Sequence, residues 1–130
     1  MTQENKELLL KDLSARLPYG VFVRVSGDWF YDDYDVNLTF QNSENLERFE
    51  LGNFELKPYL RPLSSMTDEE KDEFRGIGGV MSYSPQHDHW ALCAFSPEGY
   101  DWLNSNHFDY RGLIEKGLAL EAPEGMYKTK

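Results

Sequence analysis

The chain has one cysteine, Cys93, so no internal disulfide can form and a disulfide-stapled secreted domain is excluded. It is short of bases: 13 Lys and Arg stand against 23 Asp and Glu, a formal net charge of −10. Affinity for a phosphate backbone comes from clustered cations that release counterions. This balance argues against a nucleic-acid partner unless a local basic face overrides the field. No apolar run approaches the length of a membrane span, so no membrane partner is expected. The first residues are polar and acidic, and Leu8-Leu9-Leu10 is too short for a secretory signal. The expected compartment is the cytoplasm. There is no internal repeat, low-complexity stretch or Gly/Ser/Pro-rich linker, so residues 1–130 are read as one domain.

What is present is aromatic and acidic. Aromatic residues make up 15 % of the chain, far more than a disordered segment carries, so the chain is expected to fold almost throughout. The acids are concentrated. Residues 28–55 hold Asp28, Asp32, Asp33, Asp35, Glu44, Glu47, Glu50 and Glu55 against Arg48 alone. Residues 68–73 hold five acids and Lys71. The remainder is close to neutral. Such a surface either keeps the protein soluble or meets a basic partner.

Periodicity predicts a helix over residues 3–16, capped by Thr2, with Leu9, Leu10, Leu13 and Leu17 on one stripe and Pro18 as the stop. A strand follows at 21–25, its three valines on one face, and then a turn at 26–28. Alternation predicts a second strand over 35–40, with Val36, Leu38 and Phe40 pointing inward. Residues 41–45 read as a loop and 46–56 as further strand broken by a turn at 52–53. Residues 57–62 must be extended, because Pro58 and Pro62 fix φ. Thr67 and Glu70 form a capping box for a helix that ends at 76–79. A hairpin is expected between 80–83 and 90–95, although 90–95 also suits a buried helical turn. Ser96-Pro97-Glu98 opens a helix that turns Tyr100, Leu103 and Trp102 inward, and a short helix is expected over 110–116, closed by Gly117. The fold class is α+β: an antiparallel sheet of four or five strands with two to four helices packed on one face.

Several groups of residues raise chemistry. Asp32, Asp33 and Asp35 offer oxygen ligands, but their spacing is not that of a calcium loop, and an exposed acidic turn is the simpler reading. His87 and His89 share a face of an extended chain, with Cys93 four residues on and His107 further away. A small metal-binding protein or enzyme would use His87, His89 and either Cys93 or His107. No CxxC or HExxH pattern supports it, so no metal, cofactor or catalytic residue is assigned. Cys93 lies among apolar neighbours, as a buried small hydrophobe does. In an extended segment Lys57, Tyr59 and Arg61 share a side, a basic–aromatic patch that suits a peptide, a phosphate group or the chain's own acids. With Arg111 it forms the alternative, nucleic-acid-binding reading of the chain.

Three blocks carry a resemblance. They are Glu7-Leu8-Leu9-Leu10-Lys11-Asp12-Leu13 with residues 15–21, Lys57-Pro58-Tyr59-Leu60-Arg61-Pro62 continuing to residue 71, and Asp101-Trp102-Leu103-Asn104 continuing through 107–114 and 117–127. Together they resemble a family of small uncharacterised proteins from gut Bacteroidales and their prophages or related phages. The resemblance implies a bacterial or phage cytoplasmic setting and carries over no activity. It moves attention from His87, His89 and Asp32, outside the blocks, to Tyr59, Arg61, His107, Asp109 and Arg111, inside them. In a scaffold reading, His107 and Asp109 cap the helix at Tyr110 and Arg111 pairs with an acid. The functional expectation is a non-enzymatic accessory protein whose acidic face engages a protein partner.

Overall fold

The computed structural model describes residues 2–27, 32–42, 44–50, 52, 54–77, 81–84, 89–92 and 97–127. Helix α1 runs Gln3–Arg16, and the Thr2 hydroxyl accepts from the Asn5 N–H at 3.1 Å. That bond satisfies one of the amides that a helix start leaves open. Leu9 and Leu13 are fully buried and Leu17 nearly so, as the leucine stripe requires. Strand β1, Val21–Ser26, buries its three valines and alternates along its length. It pairs antiparallel with β2, Tyr34–Leu38, in the register Val21↔Leu38 to Val25↔Tyr34.

Strand β2 is shorter than the alternation predicts, and this corrects the reading of Phe40. The chain leaves the sheet after Leu38 into a 3-10 turn, Phe40–Asn42, and Phe40 is 65 % exposed instead of inward. The Asn42 side chain fastens the turn: its Oδ1 accepts from Thr39 N–H at 2.7 Å, and its Nδ2 donates to the Asn37 carbonyl at 2.9 Å. A polar side chain that satisfies local backbone competes directly with strand continuation. The strand expected over 46–56 is corrected too. Helix α2 occupies Glu44–Glu50, and the buried strand begins only at Glu55. Leu46 and Phe49, three apart, both meet the core, which is helical spacing.

Strand β3, Glu55–Pro62, is the centre of the sheet. It runs antiparallel to β1 in the register Val23↔Pro58 to Ser26↔Glu55. Its other edge takes two short parallel partners, β7 (Leu120–Glu121) at Tyr59 and Leu60 and β6 (Phe108–Asp109) at Arg61 and Pro62. The sheet is therefore mixed, five-stranded and mostly antiparallel, in the order β2-β1-β3-β6 with β7 also on β3. Pro58 lacks an N–H and sits in the ladder only where no donor is needed.

Helix α3, Asp68–Gly76, has the predicted capping box, with Glu70 N–H to Thr67 Oγ1 at 3.1 Å and Thr67 N–H to Glu70 Oε1 at 3.0 Å. The hairpin is present as β4, Met81–Ser84, against β5, His89–Leu92, so these residues are strand and not helix. Helix α4, Pro97–Ser105, buries Leu103, while Tyr100 is 39 % exposed instead of inward. Residues 110–117 form turns in place of the expected helix. Gly112 has φ 73°, a left-handed conformation that breaks a helix, and the Asp109 carboxylate accepts from the Leu113 and Ile114 amides at 2.8 and 3.0 Å.

The main core joins the α1 leucines to Val21, Val23, Val25, Leu38, Leu56, Leu60 and Leu113. A second cluster joins Met66, Phe74, Leu103 and Phe108. Among the described residues no helix is long and apolar enough to cross a membrane. Two substitutions separate the observed packing from the simple alternation. Leu13→Ala should cost about 2–5 kcal/mol, because a fully buried side chain leaves a cavity. Phe40→Ser, at a side chain 65 % exposed, should cost clearly less than Leu13→Ala. Urea unfolding of both variants checks the pair.

Candidate functional site

The register of β1, β2 and β3 gives the sheet two chemically different ends. Ser26, Tyr34 and Glu55 mark one end, and Val21, Leu38 and Pro62 mark the other. The first is acidic. Asp32, Asp33 and Asp35 are exposed where β2 begins, and Glu55 is exposed where β3 begins. Glu44 and Glu47 are exposed on α2. The α2 side reaches the same end, since Phe49, Gly52 and Phe54 line one surface groove with Ser26, Gly27, Glu55 and Lys6. The cations here are partly engaged. Arg24 lies 3.4 Å from Asp35 and 4.0 Å from Asp33, and the Arg48 guanidinium sits 5.1 Å from the centre of the Phe54 ring. Lys57 is half-buried opposite Arg24 in the register. Exposed pairs of this kind contribute little to stability.

The other end holds most of the resemblance residues, and their carboxylates and guanidiniums are bonded within the chain. Arg16, on α1, is fully buried. Its Nε and Nη2 donate to the two oxygens of the equally buried Asp12 at 2.8 and 3.1 Å, and Nη2 also reaches the Phe108 carbonyl at 2.7 Å. Arg111 Nε donates to Asp12 Oδ1 at 3.1 Å, so two guanidiniums share one carboxylate. Both cations flank the Tyr110 ring, at 5.4 and 4.9 Å from its centre, and the Tyr110 hydroxyl donates to Asn104 Oδ1 at 3.0 Å. Asp109 holds the turn amides described above.

Tyr59 and Arg61 lie one step apart on β3 and serve different neighbours. The Tyr59 hydroxyl donates to Asp35 Oδ1 at 2.9 Å. The Arg61 guanidinium forks onto Glu70 at 2.7 and 2.8 Å and lies 4.2 Å from the centre of the Phe108 ring. Burial pushes the Glu70 carboxyl up, but hydrogen bonds from Arg61 and Thr67 outweigh it and hold the group below its ordinary value. One carboxylate thus caps α3 and anchors β3. His107 stands at φ 65°, and its carbonyl accepts from the Arg61 N–H at 2.7 Å. Its ring stacks on Tyr127, with 3.6 Å between centroids and 12° between planes. Burial, then the charges of Arg16 and Arg61, push the imidazole down to about 4.

Tyr59, Arg61 and His107 therefore converge near Tyr127, whereas Arg61 and Arg111 sit in separate ion pairs. The basic–aromatic patch spends its arginine on Glu70 and its tyrosine on Asp35. Asp32 and Asp33 stay at the opposite end of the sheet, and Asp35 meets Tyr59 between the two. Among the described residues no group of three His, Cys, Asp or Glu side chains is placed to hold a metal. His87, Cys93 and the His89 side chain lie outside the described residues, although His89 opens β5.

Sequence reading missed Asp12, Arg16 and Tyr127. The first two carried a signal: each stands three residues after a buried leucine, Leu9 or Leu13, and they are four apart, so they flank the apolar stripe and face each other. Tyr127 carried no local signal.

Breaking a buried pair from one side leaves an unpaired charge. Asp12→Leu should cost about 3–5 kcal/mol in urea unfolding, and adding both Arg16→Met and Arg111→Met should recover much of the loss, since each guanidinium otherwise lacks its acid. Comparison with models of known protein families, with curated proteins and with solved structures finds no match.

Proposed function

We propose that this chain is a small non-enzymatic accessory protein that engages a basic protein partner through the acidic end of its sheet. The observation that carries this reading is a division of charge. Asp32, Asp33, Asp35, Glu44, Glu47 and Glu55 are exposed around one end, while Arg16, Arg61 and Arg111 are held inside by Asp12 and Glu70. The outward field is thus more one-signed than composition alone suggests. Such a field raises association rates with a cationic surface and repels acidic polymers. The arginines, tyrosine and aspartates that look most reactive are already bonded to the chain itself, which suits scaffold better than catalysis. The bacterial or phage cytoplasmic setting implied by the resemblance belongs to the same proposal.

The test is affinity capture from bacterial lysate followed by measured binding of the purified partner. The wild type should retain a basic partner at low salt and lose it as ionic strength rises, because exposed charges are screened within about 10 Å at 0.1 M. The variant Asp32→Asn, Asp33→Asn, Glu44→Gln, Glu47→Gln should bind it about tenfold more weakly or worse. It leaves the Asp35–Tyr59 hydrogen bond in place, so its fold should be unchanged. No salt-sensitive partner, or equal binding by the variant, would remove the proposal.

A further inference from the structure

At the end of the sheet away from the acids, a side chain completes the backbone ladder. The β1–β3 register reaches Val23↔Pro58, so the next opposed residues are Phe22 and Tyr59. They are joined through the Tyr127 hydroxyl, which accepts from the Phe22 N–H at 2.9 Å and donates to the Tyr59 carbonyl at 2.7 Å. The hydroxyl replaces a direct N–H to carbonyl bond between two strands that have begun to part. The segment that delivers it runs along the edge of β3. It makes two residues of β7 and an Ala122 N–H bond to the Leu60 carbonyl at 2.8 Å, then turns through Pro123 and Met126. Tyr127 is its terminal anchor, between Phe22, 5.7 Å away by ring centroids, and His107.

His107 is an unusual wall for that slot. Its left-handed backbone is fixed by the Arg61 N–H, and its Nδ1 is buried with no hydrogen-bond partner among the described residues. The charged and titratable groups that face it are Arg16 from α1, Arg61 from β3 and Tyr127 from the C-terminal segment. The two arginines have their own acids, Asp12 and Glu70. An imidazolium here would be a third buried cation without a carboxylate of its own.

We propose that residues 120–127 are a pH-sensitive clasp: protonation of His107 expels Tyr127 from the sheet and releases the C-terminal segment from β3. The sign follows from linkage. Closed, His107 titrates near 4; released into water it returns to its ordinary value of 6.5. The open form therefore binds the proton more tightly. The closed form has its full advantage above 6.5 and loses it as pH falls from there towards 4. Tyr127, pushed up to about 12 by burial, stays protonated across this window and remains a donor.

NMR titration of the full chain from about pH 7.5 to about pH 4 tests the clasp, by following the His107 imidazole, the Tyr127 ring and the Phe22, Val23 and Leu38 amides. In the wild type the Tyr127 and Phe22 signals should leave their closed positions as His107 titrates, while Val23 and Leu38 hold theirs. Tyr127→Ala should raise the His107 pKa by about one unit or more, since the covering ring is gone. His107→Asn tolerates the left-handed backbone and should abolish the transition. Three results would overturn the proposal. These are a His107 that titrates with Tyr127 unmoved, the same release in His107→Asn, or loss of Val23 and Leu38 in the same step, which marks global acid unfolding.

Discussion

One buried carboxylate organises the stretch of chain that follows α4. Asp12 receives Arg16 from its own helix and Arg111 from a turn 99 residues away. Through Arg16 the same group reaches the Phe108 carbonyl, and so fixes where β6 meets the end of α1. β6 in turn pairs with β3 at Arg61 and Pro62. Asp109, next in the chain, shapes the turn that carries Leu113 back to the main core. Burying such a cluster gains little net stability, because desolvation offsets the attraction. What it supplies is direction. Apolar contacts accept many rotations of a leucine-faced helix, but a forked guanidinium on a carboxylate accepts few.

The sheet then separates two kinds of surface. β3 runs from the exposed Glu55 to the enclosed Arg61, and β1 runs back from Val21 to Ser26. Along one pair of strands the chain passes from solvated acids to buried arginines and stacked rings. Tyr59 links the two ends by donating to Asp35 while its carbonyl takes the Tyr127 hydroxyl. The interaction reading and the clasp therefore occupy opposite ends of the same strands. Each depends on charge for a different reason: screening and attraction in water at one end, desolvation at the other.

The resemblance blocks gain a physical meaning from this arrangement. Residues 7–13 supply Asp12, 57–71 supply Tyr59, Arg61 and Glu70, and 101–127 supply Asn104, His107, Asp109, Arg111 and Tyr127. With Arg16, from residues 15–21, these build the enclosed polar network. The acidic residues 32–55 lie outside the blocks. The enclosed network and the acids of residues 32–55 thus come from different stretches of sequence, while residues 68–71 carry both the exposed Asp68 and Glu69 and the enclosed Glu70.

Features governed by neighbours in the chain were legible from the sequence. The Thr2 cap, the Pro18 stop, the capping box of Thr67 and Glu70, the valine face of β1 and the proline-fixed extension of β3 each depend on contacts within a few residues. So did the acidity and its two segments. What only the tertiary structure decided was competition between local options. Residues 46–50 suit strand or helix, and the core takes the helical pair Leu46 and Phe49. Phe40 alternates correctly yet turns to solvent, because Asn42 satisfies the strand's end. Residues 110–116 have helical composition but lie in turns held by Asp109 and the left-handed Gly112. The Asp12–Arg16 pair had a helical spacing to read, but Arg111 on Asp12 and Tyr127 on His107 come from other segments and left no local period. The sequence by itself determined what this protein carries on its surface; the fold decided which of its charges were left there.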